Sequence, residues 1–275
     1  SNLCEIRRVR LADGRRAFFG SICGRFDRDG EEPSAPEDAF ATRERLLLQS
    51  SGLHGYDAPG TPVATVRDRG QIGIPFALSM TDYLPFWNTF LTGLGFSTVL
   101  SGVSSREVVE WGLAHVPGEF CYPIKVLFGH VHQLTERGIN RLFVPHLRMF
   151  TPPAESTARY ACPYTQAAPY VVRENVDADV VTLEYPVDGE QEWWIGEAAA
   201  KLEIPVAEIR CAHARAAAAQ AGFVASCRSA GAELLERLAA EGRRGCVLLG
   251  RPYNTVDRYV NLNLARRLSG LGIEP

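Results

Sequence analysis

Two cysteines sit in closely matched settings, Cys121 in GEFCYPIK and Cys162 in YACPYTQ, with Pro123 and Pro163 just behind them. Each falls where a strand gives way to a helix. A thiol at a helix N-terminus faces unpaired N–H groups and the positive end of the dipole, and both favour the thiolate. The thiolate is the form that binds iron or zinc and the form that attacks an electrophile. Lys125 follows Cys121 by one turn and adds positive charge, although an exposed helix lysine is the commoner role. The separation of the two cysteines does not by itself distinguish iron from zinc, which takes four ligands of similar quality.

Other groups are weaker candidates. Cys4 and Cys23 lie near the open ends of an expected hairpin and form half of a second metal site at most. Cys211 and Cys227, in an alanine-rich helical stretch, and Cys246, in an apolar run, read as structural thiols. His130 and His132 are two residues apart, so they lie on different helix faces and cannot form a one-face metal pair. His146 ends a strand at the rim where a ligand would gather. In GRPYNT, Gly250 allows a tight turn, and Arg251 and Asn254 stand at a helix N-terminus where an anion or acyl-CoA phosphate could bind. Neither GxGxxG nor the Walker A pattern is present, and no Ser-His-Asp order or HExxH run suggests a hydrolase. Trp193 and Trp194 are expected to anchor their helix on the sheet.

These groups need a scaffold. Residues 1–30 alternate as a hairpin around Ala12-Asp13-Gly14. From Gln71 the chain alternates strand and helix: QIGIPFAL, then TDYLPFWNTFLTGLG; FSTVLSG, then SSREVVEWGLAH, where Ser104 and Glu107 have capping-box spacing. A loop and helix from Gly118 to Gly138 precede the strand INRLFVPHL, and YACPYTQAAPYVVREN precedes DVVTLEYPV. This pattern predicts an α/β fold: a parallel four-stranded sheet with helices on both faces. Ligands of such sheets gather beyond the carboxyl ends of the strands. The expected organisation is a cysteine-bearing hairpin and linker over 1–70, an α/β domain over 71–187, a helical segment over 188–244, and the start of a second α/β domain over 245–275. That last unit opens with a strand at CVLLG and reads as truncated, which should leave Leu248, Leu262 and Leu268 with apolar surface exposed.

The composition narrows the function. In 275 residues the formal net charge is −3 and 22% are charged, so the basic excess of a nucleic-acid binder is missing. No apolar run approaches a membrane span. Seven cysteines are too few and too scattered for a disulfide scaffold, which points to reduced thiols in the cytoplasm.

The motifs IGIPFALSMTDYLPFWNTFLTGLGF, FCYPIKVLFGHV, YACPYTQAAPY and LLGRPYNTVDRYVNLNLARRLSGLG occur in that order. Residues 71 to 275 resemble the iron–sulfur proteins related to 2-hydroxyacyl-CoA dehydratase subunits. More narrowly, they resemble the region that follows the ATPase part of CoA-substrate-specific enzyme activases. The opening SNLCEIRRVRLADGRRAFFGSICGRFD is similar to the linker between those two parts. The resemblance implies that Cys121 and Cys162 ligate an iron–sulfur cluster, 4Fe-4S or double-cubane, between two α/β domains. Further ligands would lie outside this chain, and ATP would act only through a missing domain or partner. It also implies an ATPase activase domain or subunit as partner, an acyl-CoA or small-molecule substrate, and a place in an ATP-dependent reductase or dehydratase activator. Two other readings stay open: a non-redox partner-binding module with structural or zinc-bound cysteines, and a thiol catalyst using Cys121.

Overall fold

The computed structural model describes residues 7–10, 16–19, 38–53, 68–150, 159–186, 190–269 and 273–275. The hairpin forms from β1 (Arg7–Arg10) and β2 (Arg16–Phe19), paired antiparallel with Arg7 opposite Phe19. Cys4 and Cys23 lie outside the described residues. After α1 (Ala39–Ser50) come β3 (Gln71–Ile74), α2 (Met80–Gly93), β4 (Ser97–Leu100), α3 (Arg106–His115), α4 (Tyr122–Thr135), β5 (Arg141–Phe143), α5 (Pro163–Asn175) and β6 (Asp179–Val181). Then follow α6 (Gln191–Leu202), the long α7 (Val206–Glu241), and two short helices, α8 (Pro252–Val256) and α9 (Leu264–Ser269).

The four central strands form one parallel sheet in the order β4-β3-β5-β6. Their side chains alternate between two buried layers, as a sheet covered on both faces requires. Ile72, Ile74, Leu100, Phe143 and Val181 meet the helices α1, α2, α6 and α7. Val99, Leu142, Val144 and Val180 meet α4 and α5 on the other face. Gly73 has no room for a side chain, since a Cβ there would lie 2.9 Å from both Ile139 and Leu142.

The first layer is held by α2 crossing α7, and proline chemistry explains how. Pro85 lies inside α2 and has no N–H to give to the Thr81 carbonyl. The Arg43 guanidinium donates to that carbonyl instead, at 3.0 Å. One residue on, Gln220 of α7 replaces a helix bond: the Phe86 N–H donates to its Oε1 at 3.3 Å, and its Nε2 donates to the Asp82 carbonyl at 3.0 Å. Arg43 also pairs with Asp82 and stacks on Phe223, 5.3 Å from the ring centre. In the second layer α3 and α4 touch backbone to backbone. A Cβ on Gly112 would lie 1.8 Å from the Lys125 carbonyl oxygen, and one on Gly129 would lie 1.8 Å from that of Val108.

Three expectations need correction. The helix α3 is capped by Ser105, whose hydroxyl accepts from the Val108 N–H at 3.2 Å, not by Ser104. Trp194 anchors α6, 2% exposed and donating to the Glu184 carbonyl at 2.6 Å, but Trp193 is 57% exposed. CVLLG is not a strand. Its segment makes a single parallel bridge, Gly245 with Glu274, and Cys246 N–H donates to the Glu274 carbonyl at 2.7 Å. Val247 and Leu249 are 79% and 91% exposed, whereas Leu248 is half-buried. Leu262 is exposed as expected and Leu268 half-buried. A strand exists by pairing, and no described segment offers this run a ladder.

Because the α3–α4 approach leaves no space, Gly129→Ala is expected to destabilise the chain by about 1–3 kcal/mol. Gly196→Ala, at a helix position where a Cβ meets nothing within 4 Å, should be neutral or stabilising by up to about 1 kcal/mol. Urea unfolding of both variants measures the contrast.

Candidate functional site

In a parallel sheet a helix that feeds the amino end of a strand begins at the carboxyl side of its neighbours. The helix α4 feeds β5 and α5 feeds β6, so both N-termini lie on the ligand-binding side. Cys121 is the N-cap of α4 and Cys162 the N-cap of α5. Their neighbours join them: the rings of Phe120 and Tyr164 meet edge to face with centroids 5.6 Å apart. Cys121 is exposed and Cys162 half-exposed. Lys125 turns toward Glu119, at 3.5 Å, which is the solvent-side role of such a lysine.

Around Cys162 the polar groups converge. Burial works to raise its thiol pKa, but the N–H groups of Tyr164 and Thr165 and the guanidinium of Arg251 together bring it below the ordinary thiol value. Arg251 reaches this position because α8 folds over α5. Tyr253 is buried beside Ile124, Leu127 and Ala168, and its hydroxyl lies 3.1 Å from that of Thr165. Arg251 Nη1 donates to the same Tyr253 oxygen at 3.4 Å. The GRPYNT loop therefore meets Cys162 across about ninety residues of sequence. Asn254 is exposed on α8.

The remaining cysteines lie elsewhere in the fold. Cys211 and Cys246 are exposed. Cys227 packs beside the first core layer, where burial pushes its thiol pKa up. Among the described residues no group of three or more His, Cys, Asp or Glu side chains is arranged to hold a metal ion. Two histidines do separate by face. His132 packs against Trp111 and His115, with ring centroids 3.9 Å and 4.5 Å away. His130 is fully buried. His146 sits in the rim: its backbone bridges Glu184, and its Nδ1 is 3.8 Å from the Glu184 carboxylate, which also accepts from Arg148 at 2.5 Å.

A directed hydrogen-bond chain runs through His130 and escaped the sequence reading. The Phe76 N–H donates to the Ser101 hydroxyl at 2.8 Å, so the Ser101 O–H is free to donate to His130 Nδ1, also at 2.8 Å. At the other end the Ser104 hydroxyl donates to the Asp257 carboxylate, so it accepts from His130 Nε2–H at 3.0 Å. These partners fix the Nε2–H tautomer. Burial pushes the His130 pKa down to about 3. Asp257 also accepts from the N–H groups of Tyr259 and Val260, both at 2.9 Å. The chain thereby ties the loop that carries Arg251 to β4 and α4. Nothing in local spacing signals it, because Ser104 and Asp257 are 153 residues apart.

In this α/β domain two cysteine N-caps thus lie on the carboxyl side of the parallel sheet, and Arg251 of a distant loop reaches one of them. Residues 71–275 match the family described as CoA enzyme activase uncharacterised domain, and the chain belongs to that family. No curated protein and no solved structure matches it. Among the described residues no helix is long and apolar enough to cross a membrane.

Two outcomes follow from the electrostatics. Alkylation of Cys162, followed by mass spectrometry against pH, should have its midpoint below that of an ordinary thiol, and Arg251→Leu should move that midpoint upward. His130 has a folded pKa near 3 against a reference of 6.5, so between those values the unfolded chain takes up a proton that the folded chain does not. Stability is then complete above pH 6.5 and falls as pH drops through that window, by up to about 1.4 kcal/mol per pH unit from this group. Urea unfolding of His130→Gln at stepped pH should show a shallower decline than the unsubstituted chain.

Proposed function

We propose that this chain is the cluster-bearing redox part of a CoA enzyme activase, with Cys121 and Cys162 as thiolate ligands of an iron–sulfur cluster. The observation that carries the reading is the pair of N-cap cysteines, joined through Phe120 and Tyr164, with the Cys162 thiol tuned toward thiolate by Arg251. Iron–sulfur clusters take thiolate ligands, and these two thiols fit part of a cubane's ligand set. No described residue completes that set. When bound, the cluster would supply one-electron chemistry at low potential.

The protein's own residues would set the conditions for that chemistry. Arg251 beside Cys162 places a fixed positive charge and a donor next to a ligand sulfur, which stabilises the reduced, more negative state. Arg251 and Asn254, at the start of α8, are the groups available to an acyl-CoA or other small anionic substrate. Tyr253 and the His130 chain hold that loop in position. In this reading residues 71–187 are the cluster-binding unit, 188–244 buttress it, and 245–275 supply the facing wall. Cys4 and Cys23 would serve a second site in the linker. The electrons would come from an ATP-driven activase domain or subunit, and the thiolates would be kept reduced in the cytoplasm.

Iron and sulfide analysis of the protein purified without oxygen tests this. A brown protein with broad visible absorption is expected, and Cys121→Ser and Cys162→Ser should each lower iron content. Unchanged iron and spectra in both variants would sink the assignment. Bound zinc in a colourless protein would favour the partner-binding module instead.

A further inference from the structure

The apolar face of α7 has a gap in its middle. Phe223, Cys227, Ala230, Leu234 and Leu238 recur three or four residues apart, so they share one stripe. Both ends of that stripe are covered. Phe223 is buried in the first core layer, and Leu238 is buried against Gly245. Between them Cys227, Ala230 and Leu234 are only half-buried and face a groove of about 600 Å³, whose other wall is α1. That volume lies within the range of roughly 300–1,000 Å³ typical of small-molecule sites. Small side chains keep the groove open: a Cβ on Gly231, which also lines it, would meet nothing within 4 Å.

The charged rim sets the sign of the ligand. Among the described residues four arginines border the groove against two glutamates, Glu233 and Glu274. Arg43 is held by Asp82, and Arg243 by Glu241 and Glu274. Glu233 accepts from the Ser229 hydroxyl at 3.1 Å. Arg237 is different. It makes no hydrogen bond or ion pair among the described residues, and it stands one turn beyond Leu234. A guanidinium there offers a fork of donors that matches a carboxylate.

We propose that the groove between α1 and α7 binds a medium-chain carboxylate, with its hydrocarbon body along Cys227, Ala230 and Leu234 and its head on Arg237. Burial of that body would take the uncovered part of the stripe out of water. Cys227 and Arg237 stand ten positions apart, about 15 Å along the helix, which suits a chain of roughly eight to ten carbons. The groove uses no residue of the cysteine site, so it stands or falls apart from the cluster reading.

The test is alkylation of the 275-residue chain by iodoacetamide, followed at each cysteine by mass spectrometry, with octanoate or, separately, octanol present. Octanoate is expected to slow Cys227 saturably, while the exposed Cys211 and Cys246 keep their rates. Octanol should protect about tenfold less well, because it lacks the charge-assisted bond. Arg237→Gln should weaken octanoate about tenfold and leave octanol unchanged. Gly231→Trp fills the groove and should abolish octanoate binding measured by calorimetry. Absence of saturable protection at Cys227 overturns the proposal, as does equal protection by octanol or calorimetric binding that survives Gly231→Trp. Comparison of the two probes on the unsubstituted chain decides the matter even if a variant fails to fold.

Discussion

Parallel pairing is the constraint on which the rest depends. Two parallel neighbours cannot be joined by a tight turn, so each connection must carry the chain back across a face of the sheet. The sheet has β3 paired on both sides, to β4 and to β5. The returning helices α4 and α5 share one face and start on one side. That geometry, more than any direct contact, brings Cys121 and Cys162 to a common rim although 41 positions separate them in the sequence. The Phe120–Tyr164 contact then fixes the spacing between the two helix starts.

The face that carries the cysteines is unusually polar inside. A neutral buried imidazole between two serine hydroxyls, ending on a carboxylate, satisfies each of its members, and a network of that kind favours one arrangement over near alternatives. Its direction is set at the Phe76 end by a backbone N–H that can only donate. Asp257, though largely buried, is offered three donors, so the loop after α8 has a defined seat. Arg251 stands six residues before it and inherits that placement. The first layer uses a different device, with rings of Phe86, Trp87, Phe90 and Trp194 packed edge to face.

What could be read in the sequence and what could not divides along the range of the forces involved. QIGI, STVL, RLF and DVV read as strands because each is short, apolar on both faces and bounded by helical periodicity. The cysteines stood out because of the prolines behind them. CVLLG looked equally strand-like, but pairing belongs to two segments and the run carries no sign of its partner. Ser104 had the capping-box spacing to Glu107, but Asp257 engages its hydroxyl and Ser105 caps α3 instead. Arg251 was legible as an anion contact, but its meeting with Cys162 depends on Tyr253 filling the gap between α4 and α5.

The amide of Gln220, set into the ladder of α2 beside Pro85, makes two helices mechanically one. A helix of 36 residues is a stiff rod about 54 Å long. Gln220 sits near its middle, so the stretch toward Glu241, largely exposed beyond Phe223, is an arm with α2 at its fulcrum. Displacing that arm strains the two bonds that replace the broken turn of α2. The first turn of α2, which begins at Met80 just after β3, lies on the far side of that joint. The outer end of the longest helix is thus linked to the sheet's carboxyl-side rim through Gln220 and the core packing of Ala212, Ala216 and Phe223 around it.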